Sequence, residues 1–161
     1  AEGEVSLPEH VCTLLKENNV SLSLAESCTG GYVTSLLTRV PGVSEFFLCS
    51  IVTYSYASKE KELGVNPETL SIHGAVSQEC VNEMLIGCVK KFGTNAAIAI
   101  SGIAGPSGGT PDKPVGTVFI GAYLNGKKSI QRFQFETNRI RNIERSAQAA
   151  LNMLRLLFLE K

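Results

Sequence analysis

"SLSLAESCTGGYVTSLLTRVPG", Ser21 to Gly42, decides the fold. Ser21 to Ala25 alternate polar and apolar, the two-residue period of a strand. Val33, Leu36, Leu37 and Val40 then recur at helical spacing, and Pro41-Gly42 closes the helix. Between them lies Glu26 to Gly31. This strand-to-helix turn carries three nucleophile-type side chains in a row (Ser27, Cys28, Thr29), a carboxylate before them and two glycines after. A strand passing to a helix in this way is the building unit of an α/β sheet.

The same alternation continues on both sides. Upstream, Leu7, Val11, Leu14 and Leu15 share a helical face, Pro8 suits its first turn, and Ala1 to Glu4 read as a loose end. Downstream, Phe46 to Ser55 is β-branched and aromatic and reads as a buried strand. "ASKEKELG" reads as a short helix ending at Gly64. Ser77 suits the N-cap of another helix, with Val81, Met84, Leu85, Cys88, Val89 and Phe92 inward. Ala96 to Ser101 is a short apolar strand. "VGTVFIGAYL" and "SIQRFQF" form a hairpin around Asn125-Gly126, a strong hairpin signal. Ile143, Ala147, Ala150, Leu151, Leu154 and Phe158 make the stripe of a last helix. The expected fold is α/β: a three-layer α/β/α sandwich on a mixed, mostly parallel sheet, with at least one antiparallel strand.

With 161 residues, 43% apolar and 19% charged, residues 1–161 fit one globular domain. Fifteen basic residues balance fifteen acidic ones, so no general field draws nucleic acid or an anionic membrane. No apolar run spans a bilayer. The five cysteines are odd in number and lack any C-x-x-C pair, which reads as reduced thiols and a cytoplasmic setting. The chain begins at Ala1 without Met, which leaves room for a removed leader. His10 and His73 lie far from any paired cysteines, so no zinc site is expected.

Two glycine-rich segments follow strands, where α/β sheets hold ligands. In the first, Gly30 and Gly31 would open a helix, and backbone N–H groups there suit an anion or oxyanion. A plain turn capped by Ser27 or Thr29 explains the same residues. The second, Ser101 to Thr117, has five glycines from Gly102 to Gly116 and three prolines. It is neither a P-loop nor a dinucleotide fingerprint, since no GKS or GKT follows and a strand comes next.

A serine nucleophile needs a base. Neither histidine sits at a strand end, which disfavours a Ser-His-Asp triad. A lysine kept neutral by burial is the other chemical option. "YSYASK" offers Tyr54 at a strand end and Lys59 in the first turn of the next helix. Taken alone, Lys59-Glu60-Lys61-Glu62 also reads as a solvated helix face.

"AESCTGG" (25–31), "VPGVSEFF" (40–47), "TYSYASKEKELGV" (53–65), "GAVS" (74–77), "SGIAGPSGGTPDKPVGTV" (101–118) and a closing helix with Asn138-Arg139 and Ala150-Leu151 together resemble the CinA carboxy-terminal domain family, which includes nicotinamide-nucleotide amidases. The resemblance implies a three-layer sandwich that hydrolyses the carboxamide of nicotinamide mononucleotide (NMN) to nicotinate mononucleotide and ammonia. It implies Ser27 as nucleophile, with Lys59 and Tyr54 as its catalytic partners. Substrate contacts fall on Thr29, Gly30, Gly31, Ser101, Gly102, Gly105, Gly108, Gly109 and Arg139. Phosphate is expected on glycine-loop amides helped by Lys113 or Arg139, and the oxyanion near Gly30 and Gly31. No metal or cofactor is implied. The expected partner is a small-molecule nucleotide, without nucleic acid or membrane, in a homodimer or higher homo-oligomer. The family's molybdopterin-binding-like N-terminal domain has no counterpart in these residues, so a stand-alone amidase form is expected.

The family usually has Thr at Ser101, Gly-Gly at Cys49-Ser50, Asn at Tyr56, and Arg at Ile143, which Arg141 and Arg145 flank here. These departures sustain two alternatives: a nucleotide-sensing module without turnover, or an amidase for a related pyridine amide. Cys28 is the rival nucleophile, although strand alternation directs it into the packing beneath the turn.

Overall fold

The computed structural model describes residues 3–160. Of the loose start expected over Ala1 to Glu4, Ala1 and Glu2 lie outside the described residues, and Gly3 and Glu4 are exposed and belong to no element. The elements in order are α1 (Leu7–Glu17), β1 (Leu22–Glu26), α2 (Tyr32–Thr38), a 3₁₀ turn (Val43–Glu45), β2 (Phe47–Val52), α3 (Tyr56–Leu63), α4 (Pro67–His73), α5 (Gln78–Phe92), β3 (Ala96–Gly102), β4 (Thr117–Leu124), β5 (Lys127–Gln134) and α6 (Arg139–Leu159). They build an α/β fold with helices on both faces of one five-stranded mixed sheet, ordered β2-β1-β3-β4-β5. β2, β1 and β3 are parallel neighbours; β4 is antiparallel to both β3 and β5. The sheet is mixed as expected, but its four pairings divide evenly into two parallel and two antiparallel.

Strand alternation sorts the two layers. Leu22 and Leu24 of β1, with Ala96, Ile98 and Ile100 of β3, face the core under α1, α2 and α6. Ala25, Ala97 and Ala99 face the core under α4 and α5, where α3 adds Leu63. Small residues dominate that second face, so α5 lies close to the sheet. A Cβ on Gly121 would meet Val81 Cγ1 at 3.1 Å and Leu85 Cδ2 at 3.2 Å.

β2 differs from the buried strand expected over Phe46 to Ser55. It is shorter and sits at the sheet's edge, with Leu48 and Val52 exposed. β-branched and aromatic residues predict a strand but not its position in the sheet. α4 is an element that the apolar pattern did not reveal: Asn66 caps it, Pro67 opens it, and His73 is its last residue. The hairpin follows its Asn-Gly signal, with Asn125 at φ 47° and Gly126 at φ 91°.

The connection from β1 to β2 runs over one face through α2. The connection from β2 to β3 crosses the other face through α3, α4 and α5. Consecutive connections therefore diverge at the carboxyl end of β1, which opens a crevice there. Among the described residues no helix is long and apolar enough to cross a membrane.

Candidate active site

Ser27 follows the last residue of β1 directly, so it lies in that crevice. Alternation along the strand sends Glu26 toward α2 and Ser27 toward α3. The helix α3 begins at the Ser55 cap, where Ser55 and Ser58 satisfy each other's backbone amides. That cap fixes the first turn and directs Lys59 inward, although Lys61 on the same helix is exposed.

Lys59 is 1% exposed. Its Nζ lies 3.0 Å from Ser27 Oγ, 2.6 Å from the Thr53 carbonyl oxygen and 3.2 Å from that of Tyr54. No carboxylate pairs with it among the described residues. Burial is the main influence on this amine and lowers its pKa from the ordinary 10.5; the neighbouring Cys80 and Cys28 thiols oppose that shift weakly. The two carbonyls can only accept, whereas the Ser27 hydroxyl can accept from the ammonium or donate to the lone pair of the neutral amine.

The expected helix cap is different in the structure. Neither Ser27 nor Thr29 caps α2; Gly31 occupies the N-cap at φ 100° and offers no side chain. The cap comes from Glu26, whose carboxylate accepts the amides of Gly31, Val33 and Thr34 at 3.2, 3.0 and 3.1 Å. Sequence reading missed this role because capping is sought at the N-cap position itself. Thr29 Oγ1 is buried with no partner among the described residues.

The two glycine amides expected near the oxyanion both have acceptors within the turn. The Gly30 amide already donates to the Ser27 carbonyl at 3.0 Å, and the Gly31 amide to Glu26. Among the described residues the amides of Ser27 and Thr29 have no acceptor. Gly30 and Gly31 do keep open space: a Cβ on either would meet nothing within 4 Å. They border a cleft of about 450 Å³ that Thr29, Tyr32, Ile140 and Ile143 also line.

Tyr54 meets Lys59 through its carbonyl rather than its hydroxyl. The side chain is exposed, and its hydroxyl accepts from Arg139 Nη2 at 3.1 Å. Arg139 opens α6, and its Nη1 donates to the Gly105 carbonyl at 2.7 Å. A continuous set of contacts thus links Ser27, Lys59, Tyr54, Arg139 and the second glycine-rich segment. Lys113 is not part of it: its Nζ donates to the His73 carbonyl at 2.6 Å, at the end of α4.

Most glycines of the second segment are closely packed against their own surroundings. A Cβ on Gly102 would lie 2.6 Å from Val118 Cγ2, and one on Gly109 would lie 2.6 Å from the Val115 amide nitrogen. On Gly105 it would run into the Val115 side chain. Gly108 takes φ 96°, with only Ile103 nearby. Ser101 is buried in β3 opposite Phe119.

Three departures from the family pattern lie away from the Ser27–Lys59 contact. Ser50 Oγ is 2.6 Å from Thr34 Oγ1. Tyr56 accepts the Ala75 amide at 3.3 Å, and Cys49 Sγ lies 3.8 Å from the Ser50 carbonyl oxygen. Cys28 is buried in the α2–α6 core, and burial pushes its thiol up to about 12. A thiol held that far above neutrality is a poor thiolate source. All five cysteines are free.

An α/β/α sandwich that presents a lysine-paired serine at the carboxyl ends of its parallel strands defines the class of protein. The chain belongs to the CinA C-terminal domain family, whose model matches residues 4–158. It is 49% identical over 155 residues to a CinA-like protein of Kosmotoga olearia, covering 95% of this chain and 37% of that one. A CinA-like protein of Chloroherpeton thalassium is 47% identical over 159 residues, covering 96% and 38%. The chain therefore spans less than two fifths of the curated relatives it matches. Among solved structures, the competence/damage inducible protein CihA of Agrobacterium tumefaciens superposes with a TM-score of 0.92 at 33% identity, covering 96% of this chain and 94% of that one. A competence-damaged protein (CinA) superfamily member from Klebsiella pneumoniae gives 0.91 at 35%, covering 95% and 96%.

Proposed function

We propose that residues 1–161 form one catalytic domain that hydrolyses the carboxamide of a pyridine nucleotide, with NMN as substrate. The observation that carries this reading is the buried Lys59 Nζ, 3.0 Å from Ser27 Oγ and otherwise held only by backbone carbonyls.

In this mechanism neutral Lys59 takes the Ser27 proton as Oγ bonds to the carboxamide carbon. The electron pair of the C=O bond moves to oxygen, and the amides of Ser27 and Thr29 receive the oxyanion. One such donor is typically worth about 10²–10³ in rate. Collapse of the tetrahedral species breaks the C–N bond, and protonated Lys59 returns its proton to the departing nitrogen, giving ammonia. A water then gives a proton to Lys59 and adds to the Ser27 ester. Ester cleavage restores the Ser27 hydroxyl and leaves the carboxylate of nicotinate mononucleotide. Arg139 is the cation that the contact set places beside Tyr54, and it supplies the phosphate partner in place of Lys113. Tyr54 holds Lys59 through its carbonyl and Arg139 through its hydroxyl.

Ammonia release from NMN tests this reading. The wild-type chain should turn over NMN, and Ser27→Ala should lose at least about 10³-fold while keeping its thermal midpoint. Near-normal turnover in Ser27→Ala would remove Ser27 as the nucleophile.

A further inference from the structure

Glu26 is 1% exposed, and no cation pairs with it among the described residues. Its carboxylate instead takes three amides from the start of α2, together with the Thr34 hydroxyl at 2.6 Å. A carboxylate can only accept, so Thr34 spends its single hydroxyl proton on Glu26. Thr34 Oγ1 is then left to accept, and Ser50 Oγ, 2.6 Å away on β2, is the donor. The anchor therefore runs from β2 through α2 to the residue that immediately precedes the nucleophile.

Resting on the amidase reading above, we propose that Glu26 is a positioning residue for Ser27 and that Thr34 and Ser50 extend its anchor. Strand alternation turns Glu26 toward α2 and Ser27 toward Lys59, so one peptide unit joins the anchor to the nucleophile. Clamping α2 from five residues upstream holds the intervening turn at fixed length. That turn sets the 3.0 Å approach of Ser27 Oγ to Lys59 Nζ. It also consumes the Gly31 amide, which moves the oxyanion donors earlier in the turn. Displacing reacting groups by roughly 1 Å can lower a rate about 10²-fold.

The test follows Ser27 itself, on the whole chain. A fluorophosphonate reacts at an activated serine with loss of fluoride, and intact mass reads the rate without any amide substrate. In Glu26→Gln, labelling should slow about 10- to 100-fold. In NMN hydrolysis kcat should fall by the same factor, with KM within about threefold. The pH midpoint of labelling should stay within about half a unit, because Glu26 does not touch Lys59. Wild-type labelling rates in Glu26→Gln would overturn the proposal and leave the amidase reading standing. A midpoint shift above about one unit would also overturn it, since Glu26 would then act through the charge of Lys59. If Glu26→Gln does not fold, Thr34→Val decides: labelling slowed about tenfold supports the anchor, and unchanged labelling overturns it. A wild-type chain that neither labels at Ser27 nor releases ammonia would end the amidase reading and this proposal together.

Discussion

The two glycine-rich segments look alike in composition and differ in physical purpose. In the Ser27–Gly31 turn, both glycines adopt positive φ, and a Cβ on either would enter open space beside the cleft. In the 101–117 segment, the space beside Gly102, Gly105, Gly109 and Gly116 is filled by the chain's own backbone and by Val115 and Val118. The first segment leaves that space unfilled. The second is largely packed against itself, and its Gly105 carbonyl accepts from Arg139. Glycine content marks places where side chains are excluded; only the surroundings reveal what excludes them.

Two substitutions pull the segments apart. Gly116 takes φ 89°, and a Cβ there would run into the Glu136 carbonyl oxygen, a backbone atom with little room to move. Gly116→Ala should therefore destabilise the fold by about 3 kcal/mol from overpacking plus backbone strain. Gly30 takes φ 57° in open space, so Gly30→Ala should cost only about 1 kcal/mol. Denaturant midpoints measure both, and equal losses would erase the distinction. Arg139, which joins the two regions, gives the next effect. Arg139→Met should lower kcat/KM for NMN about 10- to 100-fold, mainly through KM, and change turnover of the unphosphorylated riboside far less. Equal losses on both substrates would assign Arg139 to holding Tyr54 and Gly105 rather than to reading phosphate.

How much of this was legible in the sequence depended on how local the cause was. The β1–turn–α2 unit and the Asn125-Gly126 hairpin follow from patterns of a few residues and appear in the structure, although α2 ends at Thr38 and leaves Val40 outside. β2 was recognisable as a strand, but its edge position comes from the order of all five strands. α4 spans only seven residues and buries only Leu70, too little for a periodic signal. Lys59 sits in a Lys-Glu-Lys-Glu run that looks solvated. Its burial comes from the cap at Ser55 and the crevice beside β1, so its place in the helix made it a candidate and motif resemblance decided for it. Glu26 was visible only as a neighbour of Ser27, because its bonds reach across a turn to amides five to eight residues ahead. The substitutions at Cys49, Ser50 and Tyr56 looked like threats to activity; none of the three is among the hydrogen-bond partners of Lys59.

The pH dependence of kcat/KM for NMN tests the central claim most directly, because it reports the ionisations of the free enzyme. Burial lowers the pKa of Lys59, and only its neutral form can accept the Ser27 proton. The profile should therefore rise with pH through a single limb whose midpoint lies below the ordinary lysine value of 10.5, and then level off. Cys28→Ala should keep that limb and move it no higher, because the Cys28 thiol raises the Lys59 pKa. A profile without a rising limb, or one that rises only near 10.5, would contradict a neutral Lys59 acting on Ser27.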